Sequence, residues 1–242
     1  MDRLAAFFEA FKLSVRVVPP TDASAAVKLF VLGSADGGAE SIVFAARGGQ
    51  PTPPATIVAA SVDFGSTTNP LMNAMPERFA VSLSDAPVLR ETAAAFVAEA
   101  LDNRCGRSAA INRLGEVIVL LMLRRVIDVG TAAPGLLAGL AHPMLHRALV
   151  AMHDSPSREW RVEDLASVAG MSRSRFMPLF HEIVGTTPMS YLNKWRLCLG
   201  HRELIKGALV KSVARQVGFG SAAAFSRAYA REFGRSPIAA RG

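Results

Sequence analysis

The sequence predicts an α+β chain in two parts. The first is an antiparallel sheet or partial β-barrel with a helical hairpin; the second is an all-α domain of two helix-turn-helix units joined by a long helix. Three observations predict this. Short β-prone runs punctuated by turn residues occupy residues 14–83, helical periodicity takes over at Pro87, and residues 142–242 contain an internal repeat.

The β-prone runs are residues 14–18, 27–32, 41–45, 56–62 and 79–83. Gly-Gly pairs at 37–38 and 48–49 are read as hairpin turns, and a Pro-rich stretch fills 51–54. Pro87 then opens a helix with Leu89, Ala93, Phe96, Val97, Ala100 and Leu101 on one side. A second helix places Leu114, Val117, Ile118, Leu121 and Met122 at i, i+3, i+4, i+7 and i+8. Residues 103–107, with Gly106, make the turn between them. The apolar stripe of this hairpin is more often an internal core than a partner surface, with a dimer interface as the sharper reading.

Residues 131–141 (TAAPGLLAGLA) are small, uncharged and broken by Pro134, Gly135 and Gly139, as expected of a connector. They divide the chain into a domain at 1–135 and a second at 142–242. The charge divides at the same place. The formal net charge is +7, yet residues 1–141 hold 12 Lys/Arg against 13 Asp/Glu, while residues 142–242 hold 15 against 7. A basic domain attached to a neutral one points to a polyanion held by the basic part, nucleic acid first. A membrane surface fits less well, because the basic residues fall on several short helices instead of one amphipathic stripe. The longest apolar run, 117–123, is flanked by Glu116, Arg124 and Arg125 and is too short to span a bilayer. Asp2 and Glu9 near the start argue against a signal peptide. Two cysteines, Cys105 and Cys198, fit a reducing cytoplasm better than a disulfide framework.

The repeat is the strongest signal. LASVAGMSRSRFMPLFHEIVGTTP (165–188) aligns with VARQVGFGSAAAFSRAYAREFGRSP (213–237). Ala166, Gly170 and Met171 match Ala214, Gly218 and Phe219 at a spacing of 48. After one inserted residue, Ser172, Phe176, Phe180, Gly185 and Pro188 match Ser221, Phe225, Tyr229, Gly234 and Pro237 at 49. Each copy makes sense as helix, turn, helix. A short helix (162–169 or 211–217) ends at a glycine able to turn left-handed, and Ser172 or Ser221 is placed to cap the next helix. That helix buries Phe176, Phe180 and Ile183, or Phe225, Tyr229 and Phe233, and stops at Gly185 or Gly234 before a proline. Between the copies, residues 189–206 read as one helix with Tyr191, Leu192, Trp195, Leu199 and Leu204 inward. Such a helix spans about 25 Å. With the flanking units it could set the two second helices one DNA turn apart, about 34 Å.

On DLASVAGMSRSRF, PMSYLNKWRL and VARQVGFGSAAAFSRAYAREFGRSP, residues 142–241 resemble the DNA-binding domain of the AraC/XylS family of bacterial transcription regulators. HPMLHRALVAMHDSP and the sequence before it resemble the subgroup with a cupin-type sensor barrel. The resemblance implies a cytoplasmic regulator of transcription, not an enzyme, and favours an activator. Double-stranded DNA and RNA polymerase are the implied partners, with a small-molecule effector or stress signal and homodimerisation through the N-terminal half. The alternative is a regulator whose sensor half is degenerate and only dimerises.

In the family, the exposed start of each second helix contacts bases. By position this assigns Arg173, Ser174, Arg175, Met177 and Pro178 to the first helix and Ala222, Ala223, Ala224 and Arg227 to the second. Arg227 is the leading base contact, since a guanidinium pairs bidentately with guanine O6 and N7. Arg173 and Arg175 suit base or phosphate. Pro178 is expected to bend the first helix or narrow its reading, and the alanines offer only thymine-methyl contact. Lys194, Arg196, Arg202, Lys211 and Arg231 are expected to be solvated or to face phosphate.

Residues 1–141 contain no histidine, so a metal-binding cupin is not expected, and neither is a cofactor. His142 and His146 stand four apart but straddle Pro143. All five histidines are read as helix surface or satisfied packing. No nucleophile elbow, phosphate loop or CxxC occurs. The N-terminal half is short for a closed sensor barrel. Cys105, between Arg104 and Arg107, is a candidate redox-sensing thiol, with an unreactive surface cysteine as the other reading.

Overall fold

Five antiparallel strands form where the β-prone runs stand: β1 (Ser14–Val18), β2 (Lys28–Gly33), β3 (Ala39–Ala45), β4 (Thr56–Asp63) and β5 (Arg78–Ser82). They make one sheet in the order β1-β4-β2-β3-β5. The computed structural model describes residues 2–22, 27–33, 38–46, 52–130 and 133–240. The turn readings at Gly37 and 48–49 lie outside the described residues, as do Pro51 and residues 131–132. The chain separates into two units. One comprises Phe11–Thr67 and Met75–Val129; the other comprises Met1–Ala10, Thr68–Ala74 and Gly130–Gly242.

In the sheet unit the period-2 alternation fills both faces. Leu29 sits opposite Phe44 and Ala60, and Val31 opposite Ile42 and Val58. On the other face Phe30, Val43, Ala45 and Ala59 make a smaller cluster. Two helices, α3 (Pro87–Leu101) and α4 (Arg107–Val129), form the expected hairpin. Helix α4 lies directly on β1. A Cβ at Gly115 would come within 2.5 Å of Val15, and Asn112 Oδ1 accepts the Val15 N–H at 2.8 Å. The buried stripe of α4 is Ile111, Gly115, Ile118, Val119, Met122, Leu123 and Ile127. It is rotated from the expected one: Leu114 and Leu121 are half-buried and Val117 is 43% exposed. On α3, Leu101 likewise lies at the surface.

The helical unit contains α1 (Ala5–Ala10), α2 (Pro70–Ala74) and the run from α5 (Leu136–Ala141) to α11. The expected connector is thus half helix. Leu136, Leu137 and Leu140 are buried, and Gly139 lets Leu149 and Val184 approach to distances no Cβ would allow. Then come α6 (Leu145–Asp154), α7 (Val162–Val168), α8 (Arg173–Val184), α9 (Pro188–Ile205), α10 (Val210–Gln216) and α11 (Ala222–Phe233). The repeat governs their packing. Phe176 and Phe180 of α8, and Phe225 and Tyr229 of α11, are fully buried; Val184 takes the inner place expected of Ile183, and Phe233 is half-buried.

The 48-residue offset extends back into the helix preceding each unit, where it pairs Leu149 with Leu197 and His153 with His201. Both histidines are interior groups bonded to a tyrosine. His153 Nε2 lies 2.6 Å from the Tyr191 hydroxyl, and His201 Nδ1 lies 2.5 Å from that of Tyr229. Phe7 of α1 packs edge-on against His153 and Trp195. Burial brings the pKa of His153 down to about 3 and lowers that of His201 as well, Arg235 adding to the second effect.

Two expectations follow for stability. Gly200 of α9 faces the Phe225 ring, and an added Cβ would stand 2.8 Å from it. Gly200→Ala should destabilise the helical unit by about 1–2 kcal/mol in urea unfolding, overpacking outweighing the gain in helix propensity. His153 titrates near 6.5 in the unfolded chain and near 3 in the folded one, so the unfolded state takes up the proton first. Its contribution is fully present above about pH 6.5 and declines as pH falls, by up to about 1.4 kcal/mol per pH unit. Replacing it (His153→Gln) should flatten the stability profile between about pH 6.5 and 5; an unchanged slope would refute this account.

Candidate nucleic-acid interface

Each helix-turn-helix turn closes in the same way. Gly170 and Gly218 stand at φ +69° and +85°, and the next N–H, from Met171 or Phe219, reaches back to the carbonyl of Ala166 or Ala214 at 2.9 and 2.8 Å. This pattern satisfies the last carbonyls of α7 and α10 and turns the chain into the second helix. The caps differ. Ser221 Oγ accepts from the Ala224 N–H at 3.1 Å as expected, but Ser172 makes no such bond and its hydroxyl pairs with Ser174 Oγ at 3.1 Å.

Opposite the buried aromatics, each second helix presents the assigned residues outward. Arg173, Ser174 and Arg175 are exposed in the first turn of α8, Pro178 is exposed one turn on, and Met177 is half-buried. On α11, Ala223 and Arg227 are exposed, and Ala222 and Ala224 are half-buried. Helix α8 continues through Pro178 to Val184 without interruption, so the residue removes a donor without ending the helix. Arg173 lies 3.0 Å from Glu163 of α7, with both side chains well exposed. Such a pair is weak enough to open for an anion. Arg227 makes no ion pair among the described residues.

The remaining cations divide into two classes. Lys211 and Arg215, one turn apart on α10, are exposed and border an open groove of about 610 Å³ that also takes in Leu209, Phe219, Ser221 and Ala222. Arg231 is exposed, and Lys194 lies 3.8 Å from Glu232. Arg215 had no sequence signal apart from its charge. By contrast, Arg196 and Arg202 are not available to phosphate. Arg196 is 7% exposed, its Nε donating to the Pro156 carbonyl at 2.6 Å and a terminal nitrogen to that of Arg158 at 2.8 Å. Arg202 donates to the Ala10 carbonyl and pairs with Glu203.

His142 Nδ1 accepts the N–H groups of Met144 and Leu145 at the start of α6, and its carbonyl meets His146 Nδ1 at 2.9 Å. Among the described residues no group of three potential ligands could hold a metal ion. Cys105 is exposed in the α3–α4 turn. The arginines beside it are engaged elsewhere, Arg104 with Asp102 and Arg107 with the last carbonyls of α3, those of Glu99 and Ala100. Burial pushes the Cys198 thiol up to about 12.

Comparison with known proteins agrees with this division. A helix-turn-helix domain family matches residues 165–242, and a cupin family matches residues 11–128. A putative AraC-like transcription regulator of Streptomyces lividans is 39% identical over 137 residues, covering 54% of this chain and 45% of its own. The HTH-type transcriptional regulator AlkR of Acinetobacter baylyi is 35% identical over 174 residues, 70% of this chain and 57% of its own. The crystal structure of an AraC-type regulator from Chromobacterium violaceum aligns at 27% identity and a TM-score of 0.39, over 41% of this chain and 89% of that one. The chain spans about half the length of the curated relatives it matches. It is thus similar to AraC-like transcription regulators in its helix-turn-helix part, with a match to a cupin domain ahead of that part.

Proposed function

We propose that this chain is a sequence-specific regulator of transcription that lays α8 and α11 in successive major grooves of double-stranded DNA. The observation behind this reading is the pair of like-built turns that lead into two helices with exposed arginines, Arg173 and Arg175 in the first turn of α8 and Arg227 in the second turn of α11, on one helical unit. Affinity comes from exposed cations against phosphate, with Arg175, Lys211, Arg215 and Arg231 the main contributors. Direct reading rests on Arg227, Arg173 and Ser174, with methyl contacts from Ala222, Ala223 and Met177. Few of these residues read hydrogen-bonding edges, so DNA shape contributes to the choice of site.

Residues 1–135 act as the sensor and dimerisation part, and the regulator activates through RNA polymerase in response to a small molecule or stress signal. Dimerisation uses the second apolar face of α4, Leu114, Val117 and Leu121, which the sheet unit leaves partly uncovered. One observation favours the reading in which this half only dimerises. Both faces of β2 and β3 are filled by their own side chains, Leu29 and Phe44 on one and Phe30 and Val43 on the other. Thermal-shift screening of the full chain against metabolite collections separates the two readings.

Selection of binding sites from random duplex DNA tests the central claim. The selected site should be bipartite, and absence of any enriched sequence would overturn the reading. Arg227→Ala should relax preference at one position at a cost of about 1–3 kcal/mol, whereas Arg215→Ala should weaken all sites alike and reduce the salt slope by about 1. On the other unit, Val117→Asp should shift the sedimentation of the full chain toward monomer; the wild-type profile in that variant would remove the α4 face from the interface.

A further inference from the structure

The two turn glycines are equivalent in the repeat but not in their surroundings. A Cβ at Gly170 would meet only a methionine methyl, Met144 Cε, at 3.6 Å. A Cβ at Gly218 would stand 2.7 Å from Ser157 Cα and 2.8 Å from the Ser157 carbonyl oxygen, inside backbone that cannot yield like a side chain. Ser157 belongs to the segment between α6 and α7, in the first helix-turn-helix unit; Gly218 forms the turn of the second. The backbones of the two units therefore touch here, three residues before the cap of α11.

That segment is firmly built. Trp160 is 6% exposed, its indole N–H donates to the Ser155 carbonyl at 2.9 Å, and the Arg158 guanidinium lies 4.0 Å over its ring. The two carbonyls flanking Ser157 are those held by buried Arg196 from the middle of α9. A planar guanidinium with two donors in fixed directions suits this task better than a single ammonium.

We infer that Arg196, residues 155–160 and Gly218 form a strut that fixes the separation of the two reading helices, and so the spacing of the two DNA segments the chain accepts. The inference rests on the DNA-binding reading above. Arg196 and Gly218 are positioning residues and need not touch DNA. One base pair shifts a groove by about 3.4 Å and turns it by about 34°, so a rigid strut enforces a single spacing.

The test uses the full chain and a bipartite duplex selected from a random library, together with duplexes carrying one base pair added or removed between the read segments. The wild type should prefer the parent spacing by about tenfold or more. Gly218→Ala should bring that ratio to within about threefold, whereas Gly170→Ala, which bears a comparable positive-φ penalty without the contact, should retain it. Arg196→Lys, which keeps the charge and loses one donor, should also flatten the ratio, and it serves if Gly218→Ala does not fold. Spacing preference equal to wild type in folded Gly218→Ala, or in Arg196→Lys, would overturn the strut, as would a wild type indifferent to spacing. Failure to select any sequence would instead overturn the DNA-binding reading itself.

Discussion

Helix α9 is shared, and the helical unit depends on that sharing. Its first half closes the core of the first helix-turn-helix unit through Tyr191, Leu192 and Trp195, and its second half opens the core of the next through Leu197, Leu204 and His201. Neither unit can bury its aromatic face without this one element. The close approach at Gly200 and the paired His–Tyr contacts are consequences of two cores fastened to a single rod of 18 residues, about 27 Å long. Rigid spacing between distant surfaces is thereby obtained from local helical geometry, with the contact between Gly218 and Ser157 as a second constraint.

Much of this was legible in the sequence, where the signal was local or repeated. The five strands, the hairpin, the left-handed glycines and the aromatic faces of α8 and α11 all follow from short-range patterns that no distant contact overrides. What could not be read depended on partners far along the chain. Arg196 looks like any surface cation until the carbonyls of Pro156 and Arg158, about forty residues earlier, are placed beside it. Ser172 and Ser221 occupy matching positions, yet only the second caps its helix, because Ser174 offers the first a competing hydroxyl. Leu114 and Val117 fit a helical period as well as Ile111 and Ile118 do. Periodicity finds an apolar stripe, but with apolar residues on two faces it does not say which one meets the sheet.

The same distinction separates the cations. Charge counts placed the excess in the right part of the chain, and the structure sorts that excess by task. Arg196 and Arg202 satisfy backbone carbonyls, Arg173 and Lys194 stand beside carboxylates, and Arg175, Lys211, Arg215 and Arg227 remain exposed. A net charge therefore overstates the number of side chains free to neutralise an incoming polyanion.

The two turns differ by one residue, Gly220, which lies between Phe219 and Ser221 and has no counterpart after Met171. A Cβ at Gly220 would meet nothing, so the extra residue is accommodated without packing strain. The turn before α11 is therefore one residue longer than the turn before α8, and the two helices also carry different outward side chains. Two identical readers related by a two-fold axis would fit their site equally well in either direction. This pair has a front and a back. A duplex gripped by two such unlike readers acquires a polarity.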